Sequence, residues 1–207
     1  GLGSGSTAAY AIQEIGDRIN QEEINVSAVP TSYQSLILAV EYGIPLTSLE
    51  EHAVLDLTID GADQIDGQLN LLKGMGGALA REKIVASASK KLIIIVDERK
   101  KVESLGEDNH PVPLEVLPFA LPVVIQKIRK IGGKPVLREA EGKVGPVITD
   151  NGNVIVDIYL DILLKLEEIN YQLKRIPGVV ETGIFVDMAD LAYIGNGSEI
   201  KELKKTI

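Results

Sequence analysis

Between positions 73 and 83 the chain reads Lys73-Gly-Met-Gly-Gly-Ala-Leu-Ala-Arg-Glu-Lys83, which combines a lysine, a glycine loop, the opening of a helical pattern and a glutamate. Glycines at 74, 76 and 77 let the backbone approach a bound molecule closely. A lysine beside such a loop can reach an oxygen that becomes negative during a reaction. Glu82 falls about one turn into the helix, where a carboxylate can take up a proton and return it. Taken alone, Arg81, Glu82 and Lys83 read more readily as an ordinary solvated helix face. A second group, Asp60-Gly61-Ala62-Asp63, follows directly on the apolar run Val54 to Ile59. It puts two carboxylates at the carboxyl end of a buried strand, which is where open α/β sheets hold their ligands. The plainer alternative is an acidic surface turn. An EF-hand does not fit, because Ala62 and the residues after Asp63 lack the alternating oxygen ligands.

The opening Gly1-Leu-Gly-Ser4-Gly5-Ser6-Thr7-Ala-Ala is a glycine and hydroxyl loop that runs straight into a helical pattern. Unpaired N–H groups and the positive end of a helix then converge on one spot, which suits an anion. It is not a Walker loop, since no lysine precedes Ser6-Thr7. It also departs from the dinucleotide fingerprint, with Ser6 at the last glycine position. By itself the loop is as well explained by Ser and Thr capping the helix. Lys100 follows the apolar run ending at Val96-Asp97 and is expected to lean over the same sheet edge. His52 and His110 lie in loop-like sequence and receive no function. With no cysteine and no clustered histidine, a transition-metal site lacks ligands, and none is expected.

These groups need a scaffold. The 207 residues are 45% hydrophobic, enough for one large domain or two small ones. Thirty acidic against 21 basic residues give a net charge of -9, which disfavours nucleic acid as a partner. An anionic substrate must then be held by a few lysines and backbone N–H groups. The longest apolar stretches, such as Leu92 to Val96 and Ile162 to Leu166, are far shorter than the roughly 20 residues of a membrane span. No secretory signal pattern is seen, and the absence of cysteine suits a reduced cytoplasm.

The first half alternates strands at Ile24–Ala28, Val54–Ile59 and Leu92–Val96 with helices at Ser6–Ile19, Ser32–Glu41 and Leu79–Ser89. Such alternation predicts an α/β fold with a parallel sheet. A proline-rich stretch from His110 to Pro122 marks a domain crossing. Beyond it the pattern predicts a helix over Pro118–Ile131 stopped by Gly132-Gly133 and a hairpin with a type I′ turn at Asn151-Gly152. A helix over Ile162–Arg175 and a strand over Val179–Val186 complete an α+β unit. The expected division is a catalytic domain of residues 1–111 and 190–207 and a smaller domain of residues 112–189, read as cleft wall and oligomer contact.

In order and spacing, Ser4-Gly-Ser-Thr7, Asp60-Gly-Ala-Asp63, Lys73-Gly-x-Gly76, Arg81-Glu-Lys83 and Lys100 resemble the signature series of the A-type ribose-5-phosphate isomerases. The resemblance continues through the Pro113 to Pro118 stretch, Gly132-Gly133, Thr149-Asp-Asn-Gly-Asn153, Ile176-Pro-Gly-Val-Val180 and Ala189-Asp-Leu-Ala, over nearly the whole chain. It implies a Rossmann-like, mostly parallel sheet domain with a smaller ferredoxin-like α+β domain. It implies an aldose-ketose isomerase acting on ribose 5-phosphate through a cis-enediolate, without metal or organic cofactor, in the cytoplasm and as a homodimer or homotetramer. Glu82 is then the base. Lys73, Asp60 and Asp63 are catalytic, and Gly61, Ala62, Gly74, Met75 and Gly76 surround the sugar. Ser4, Gly5, Ser6, Thr7 and Lys100 bind substrate at its phosphate end. Met75 stands where the family usually has glycine, and Ala80 where threonine is common. The family's usual upstream helix, with a basic residue, and the strand after it would precede Gly1. Two rivals remain: a sugar-phosphate sensor without a base, and an isomerase or deaminase of a related sugar phosphate.

Overall fold

The computed structural model of the chain describes residues 1–22, 24–142, 144–160 and 165–205. Its α-helices are α1 (Ser6–Glu22), α2 (Tyr33–Glu41), α3 (Leu79–Ser87), α4 (Leu121–Lys130) and α5 (Leu166–Lys174). Its strands begin with β1 (Thr58–Asp60), β2 (Gln64–Ile65), β3 (Leu71–Leu72), β4 (Leu92–Asp97), β5 (Val112–Val116) and β6 (Lys134–Leu137). They continue with β7 (Val154–Tyr159), β8 (Val179–Thr182), β9 (Ile184–Phe185), β10 (Leu191–Gly195) and β11 (Ile200–Lys204). Contacts divide the chain into a first unit of Gly1–Ala62, Arg81–Lys100 and Met188–Ile207 and a second of Asp63–Ala80 and Lys101–Asp187.

The first unit is built on a mostly parallel sheet. β1, β4 and β10 are parallel neighbours in that order, and β11 runs antiparallel along β10. Beyond β1 the sheet continues as single bridges, with Leu2 between Ile59 and Pro30 and with Ala28 beside Leu46, all parallel. The opening residues therefore occupy an inner strand position: Leu2 N–H donates to Val29 O at 2.9 Å and Gly3 N–H to Ile59 O at 2.9 Å. α1 turns Ala8, Ile12 and Gly16 inward, four residues apart on one face. Ile12 packs with Leu2, Ala28, Ala39 and Ile44 into a core.

Two expected strands contract here. The run from Val54 pairs as a strand only over Thr58–Asp60, with Val54 65% exposed and Leu55 bridging Ser89 once. Of Ile24–Ala28 only Ala28 meets a partner, while Val26 is exposed. Apolar content marked both segments, yet pairing needs a neighbour in register, and that is supplied over only part of each.

The second unit contains β5-α4-β6-β7-α5-β8, with sheet order β6-β7-β5-β8 and every pairing antiparallel. That βαββαβ connectivity is the ferredoxin-like arrangement. Its core joins Val112, Leu114 and Val116 of β5, Val124 and Ile128 of α4, Val156 and Ile158 of β7, and Leu173 of α5. A three-stranded antiparallel sheet of order β2-β3-β9 lies in the same unit. Val102 N–H donates to Ile65 O at 3.0 Å and Gly106 N–H to the Gln64 side chain at 2.7 Å. These bonds tie residues 101–109 to β2, so the contact boundary falls after Lys100, ahead of the proline-rich stretch expected to mark it.

Three local expectations change. The strand over Val179–Val186 is two strands, β8 and β9, which separate at Gly183 and join different sheets. The turn at Asn151-Gly152 is not type I′, because only Gly152 takes positive φ, at 77°. Gly152 N–H returns to Thr149 O at 2.9 Å, a type I turn followed by a left-handed glycine. The helix over Pro118–Ile131 opens as a 3-10 turn at Pro118–Ala120 before α4. Of the helix expected over Ile162–Arg175, α5 covers Leu166–Lys174, and residues 162–164 lie outside the described residues.

Gly183 is closely crowded by the backbone at Lys73 and Pro113. A Cβ there would sit 2.2 Å from the Lys73 carbonyl oxygen and 2.9 Å from Pro113 Cδ. Gly183→Ala should destabilise the protein by about 1–3 kcal/mol, the cost of forcing atoms into a packed site, seen as a lower urea midpoint at unchanged slope. An unchanged midpoint would mean that the backbone at Lys73 moves aside freely.

Candidate active site

In the first unit the chemistry gathers at the carboxyl edge of the parallel sheet. Asp60 is the last residue of β1 and is 1% exposed. Its Oδ1 accepts the Gly61 N–H at 2.7 Å and the Ser4 N–H at 3.1 Å. The close approach requires Gly3, where a Cβ would stand 2.1 Å from Asp60 Oδ1 and 2.5 Å from Asp60 Cα. Gly5, at φ 98°, turns the chain into α1, so Ser6 and Thr7 open a helix. The N–H groups of Gly3, Ser4 and Gly5 are spent on Ile59, Asp60 and Gln34, contrary to the unpaired donors expected of this loop, so what it presents at the strand end is the N-terminus of α1. β4 runs parallel to β1 and leads into the 3-10 turn Glu98–Lys100, which puts Lys100 after the same edge. Arg99 is committed to Asp97, at 2.9 Å, and this hydrogen bond holds the Asp97 carboxyl below the usual carboxylate range.

A partner to this loop was not read from the sequence. Ser4 Oγ lies 2.8 Å from Thr31 Oγ1 and donates to Ser32 Oγ at 2.5 Å, while Gly5 N–H donates to Gln34 Oε1 at 2.8 Å. Ser32 is also the N-cap of α2, accepting Ser35 N–H in a reciprocal capping box. Two helix starts, α1 and α2, are therefore linked through hydroxyls. The signal was present as Ser32 three residues ahead of Ser35 before an apolar helix, but the link to Ser4 is made only by folding.

In the second unit Lys73 directly follows β3 and is 3% exposed. Its N–H donates to Gly183 O at 2.9 Å, and its ammonium stands 5.7 Å from the centre of the Phe185 ring. Gly74, at φ 113°, turns the chain sharply, and Gly77 N–H closes back on Gly74 O at 3.0 Å. Asp63 Oδ2 accepts the Met75 N–H at 2.9 Å, so this carboxylate holds the loop after Lys73. Met75 itself is 44% exposed. Asp63, Lys73, Gly74, Met75 and Gly76 thus belong together, whereas Ser4, Gly5, Ser6, Thr7, Asp60, Gly61, Ala62 and Lys100 belong to the first unit.

Glu82 lies in the first turn of α3, where the helix dipole favours negative charge. It is 5% exposed, and its neighbours Arg81 and Lys83 are half-buried, so the solvated helix face does not describe this segment. Arg81 stacks over Tyr33, the first residue of α2, at 5.4 Å. A buried carboxylate on a helix start is suited to moving a proton, and a buried lysine beside a glycine loop is suited to a developing oxyanion. Among the described residues no three or more His, Cys, Asp or Glu side chains gather as a metal site.

Comparisons with known proteins lead to one family. The family model for ribose 5-phosphate isomerase A (phosphoriboisomerase A) matches residues 27–199. A ribose-5-phosphate isomerase A of Methanococcus aeolicus is 51% identical over 206 residues, covering 99% of this chain and 87% of its own. The human ribose-5-phosphate isomerase is 47% identical over 197 residues, covering 94% of this chain and 63% of its own. Among solved structures, ribose 5-phosphate isomerase A from Methanocaldococcus jannaschii superposes with TM-score 0.94 at 44% identity, covering 99% of this chain and 89% of that one. A D-ribose-5-phosphate isomerase in complex with phospho-erythronic acid gives TM-score 0.94 at 43% identity, covering 98% and 89%.

Ser32→Ala tests the hydroxyl link. Loss of the cap should cost about 1 kcal/mol of stability, and loss of the Ser4 contact should weaken inorganic phosphate binding about fivefold by titration calorimetry. Unchanged phosphate affinity would detach the first loop from α2.

Proposed function

The chain belongs to the ribose 5-phosphate isomerase A family, and on that premise we infer how its own residues interconvert D-ribose 5-phosphate and D-ribulose 5-phosphate. The reaction is an aldose-ketose isomerisation. Glu82 takes the C2 proton of the open-chain aldose, and the electron pair moves to leave a cis-enediolate with negative charge on O1. The Lys73 ammonium stabilises that charge, an interaction stronger in the transition state than in bound substrate. A carboxylate passes the O2 proton to O1, and Glu82 returns its own proton to C1, giving the ketose.

Burial divides the two aspartates. Asp60 is 1% exposed with Oδ1 engaged by two backbone N–H groups, so its first task is to hold the loops. Asp63 is part-exposed with Oδ2 on Met75, and it takes the hydroxyl and ring-opening work. Ser4, Gly5, Ser6 and Thr7 with Lys100 receive the phosphate; Gly61, Ala62, Gly74, Met75 and Gly76 surround the sugar. A sugar-phosphate site is supported by the relative solved with phospho-erythronic acid, a phosphorylated sugar acid. The observation that carries the reading is Glu82, a buried carboxylate in the first turn of the helix that follows the Lys73 loop.

The test is turnover of ribose 5-phosphate with EDTA present, beside Glu82→Gln. The variant should lose about 10²- to 10⁴-fold in kcat with a smaller change in KM, as for loss of a general base. Near-normal kcat would remove Glu82 from the role.

The same reading carries a cytoplasmic homodimer or homotetramer, with the second unit as contact. Phe119, 93% exposed, and Leu117 and Val123, both about half exposed, are apolar side chains in keeping with a covered surface. Sedimentation velocity should show an oligomer that Phe119→Asp weakens; a monomeric native protein would overturn this assignment.

A further inference from the structure

We propose that the Arg138–Asp157 ion pair is the positioning device for the glycine loop after Lys73, and so sets where the Lys73 ammonium stands during the reaction. The pair is nearly enclosed, with side chains 13% and 10% exposed. Arg138 follows β6 directly, and Asp157 lies on β7, the neighbouring strand. Arg138 Nε donates to Asp157 Oδ2 at 2.8 Å, and Nη2 donates to Asp157 Oδ1. Its Nη1 donates to two backbone carbonyls, Gly74 O and Met75 O, each at 2.8 Å. The remaining Nη2 hydrogen faces the Met75 sulfur at 3.8 Å. All five guanidinium N–H donors are thereby used, three of them on the loop.

The arrangement requires arginine. A planar fork can chelate a carboxylate along one edge and reach two carbonyls along another, whereas a lysine ammonium is a point donor with no fixed plane. Asp157 holds that plane from the sheet, and Asp63 holds the opposite polarity of the loop through the Met75 N–H. The backbone at Gly74 and Met75 is thus gripped at both its N–H and C=O groups. Met75, where the family usually has glycine, adds its sulfur to the same grip. Neither Arg138 nor Asp157 is assigned a contact with substrate; they act through the loop.

The catalytic part of this inference rests on the role given to Lys73 above. A loop displaced by about 1 Å can cost about 10²-fold in rate, and an interaction made only in the transition state appears in kcat and not in KM. Arg138→Lys and Asp157→Asn should each lower kcat about 10- to 100-fold with KM changed less than about threefold. In Arg138→Ala, added guanidinium should restore part of the lost kcat. Lys174→Ala, which breaks the Lys174–Glu181 pair on the same unit, serves as a control for destabilisation alone and should keep kcat.

Amide hydrogen exchange at residues 74–77 gives a readout independent of turnover. It should quicken in the Arg138 and Asp157 variants and not in Lys174→Ala. Faster loop exchange in these variants, beside a native protein that turns nothing over, would leave the bracing in place and overturn the isomerase reading instead. Variants that match Lys174→Ala in both kcat and loop exchange, or that raise KM at constant kcat, would overturn the proposal.

Discussion

A carboxylate buried at the end of a strand must be met by N–H donors, and the way Asp60 meets that requirement shapes the first unit. Its Oδ1 accepts from Gly61 and Ser4, which obliges the opening loop to lie against the strand end. That approach is open only to a residue without a Cβ at position 3. Once Gly3 and Ser4 are held there, Leu2 takes an inner place in the sheet and α1 begins beside it. Ser4 in turn reaches Thr31 and Ser32, so the start of α2 is bound to the same point. Asp63 repeats the device in the second unit, with the Met75 N–H as donor.

The same rule governs Glu115, in the middle of β5 and fully buried. Its Oε1 accepts from Thr149 Oγ1 at 3.0 Å, Asn151 Nδ2 at 2.9 Å and Asn153 Nδ2 at 2.7 Å. The turn Thr149-Asp-Asn-Gly-Asn153 is therefore more than a reversal of the chain. Its polar side chains supply three donors to one oxygen, Oε1, of a fully buried carboxylate, where an isolated charge would be strongly unfavourable. This also accounts for the turn type. Asn151 must aim its amide at Glu115, and a type I turn with positive φ confined to Gly152 is the geometry in which it does so.

What could be read from the sequence was what depends on residue type and local period. The helix starts at Ser6 and Leu79, the strand at Leu92 and the position of Glu82 in a first turn all follow from such signals. So does Asp60 at a strand end, because an apolar run followed by Asp-Gly reads that way in any α/β protein. Strand limits at Val54 and Ile24 were misplaced, since pairing partners are chosen by the whole sheet. The break at Gly183 was missed because nothing local says that residues on its two sides join different sheets. Arg138 was passed over for the same reason, since it donates to backbone carbonyls more than sixty residues away in sequence, and Asp157 with it, since its partner is that arginine.

The bond from Lys73 N–H to Gly183 O joins two points of the chain that are made far apart in time. β3 pairs on one side with β2, which is near in sequence, and on the other with β9, which is near the end. A ribosome adds about 5–20 residues each second, so β3 waits several seconds for its second neighbour. Until residues 183–185 emerge, the lysine has no fixed backbone. A chain that stops short of Gly183 leaves the Lys73 N–H without this acceptor and β3 without its second neighbour. Contacts of this sequence separation are also slow to form. The backbone at Lys73 thus reaches its final place only when nearly the whole chain is complete.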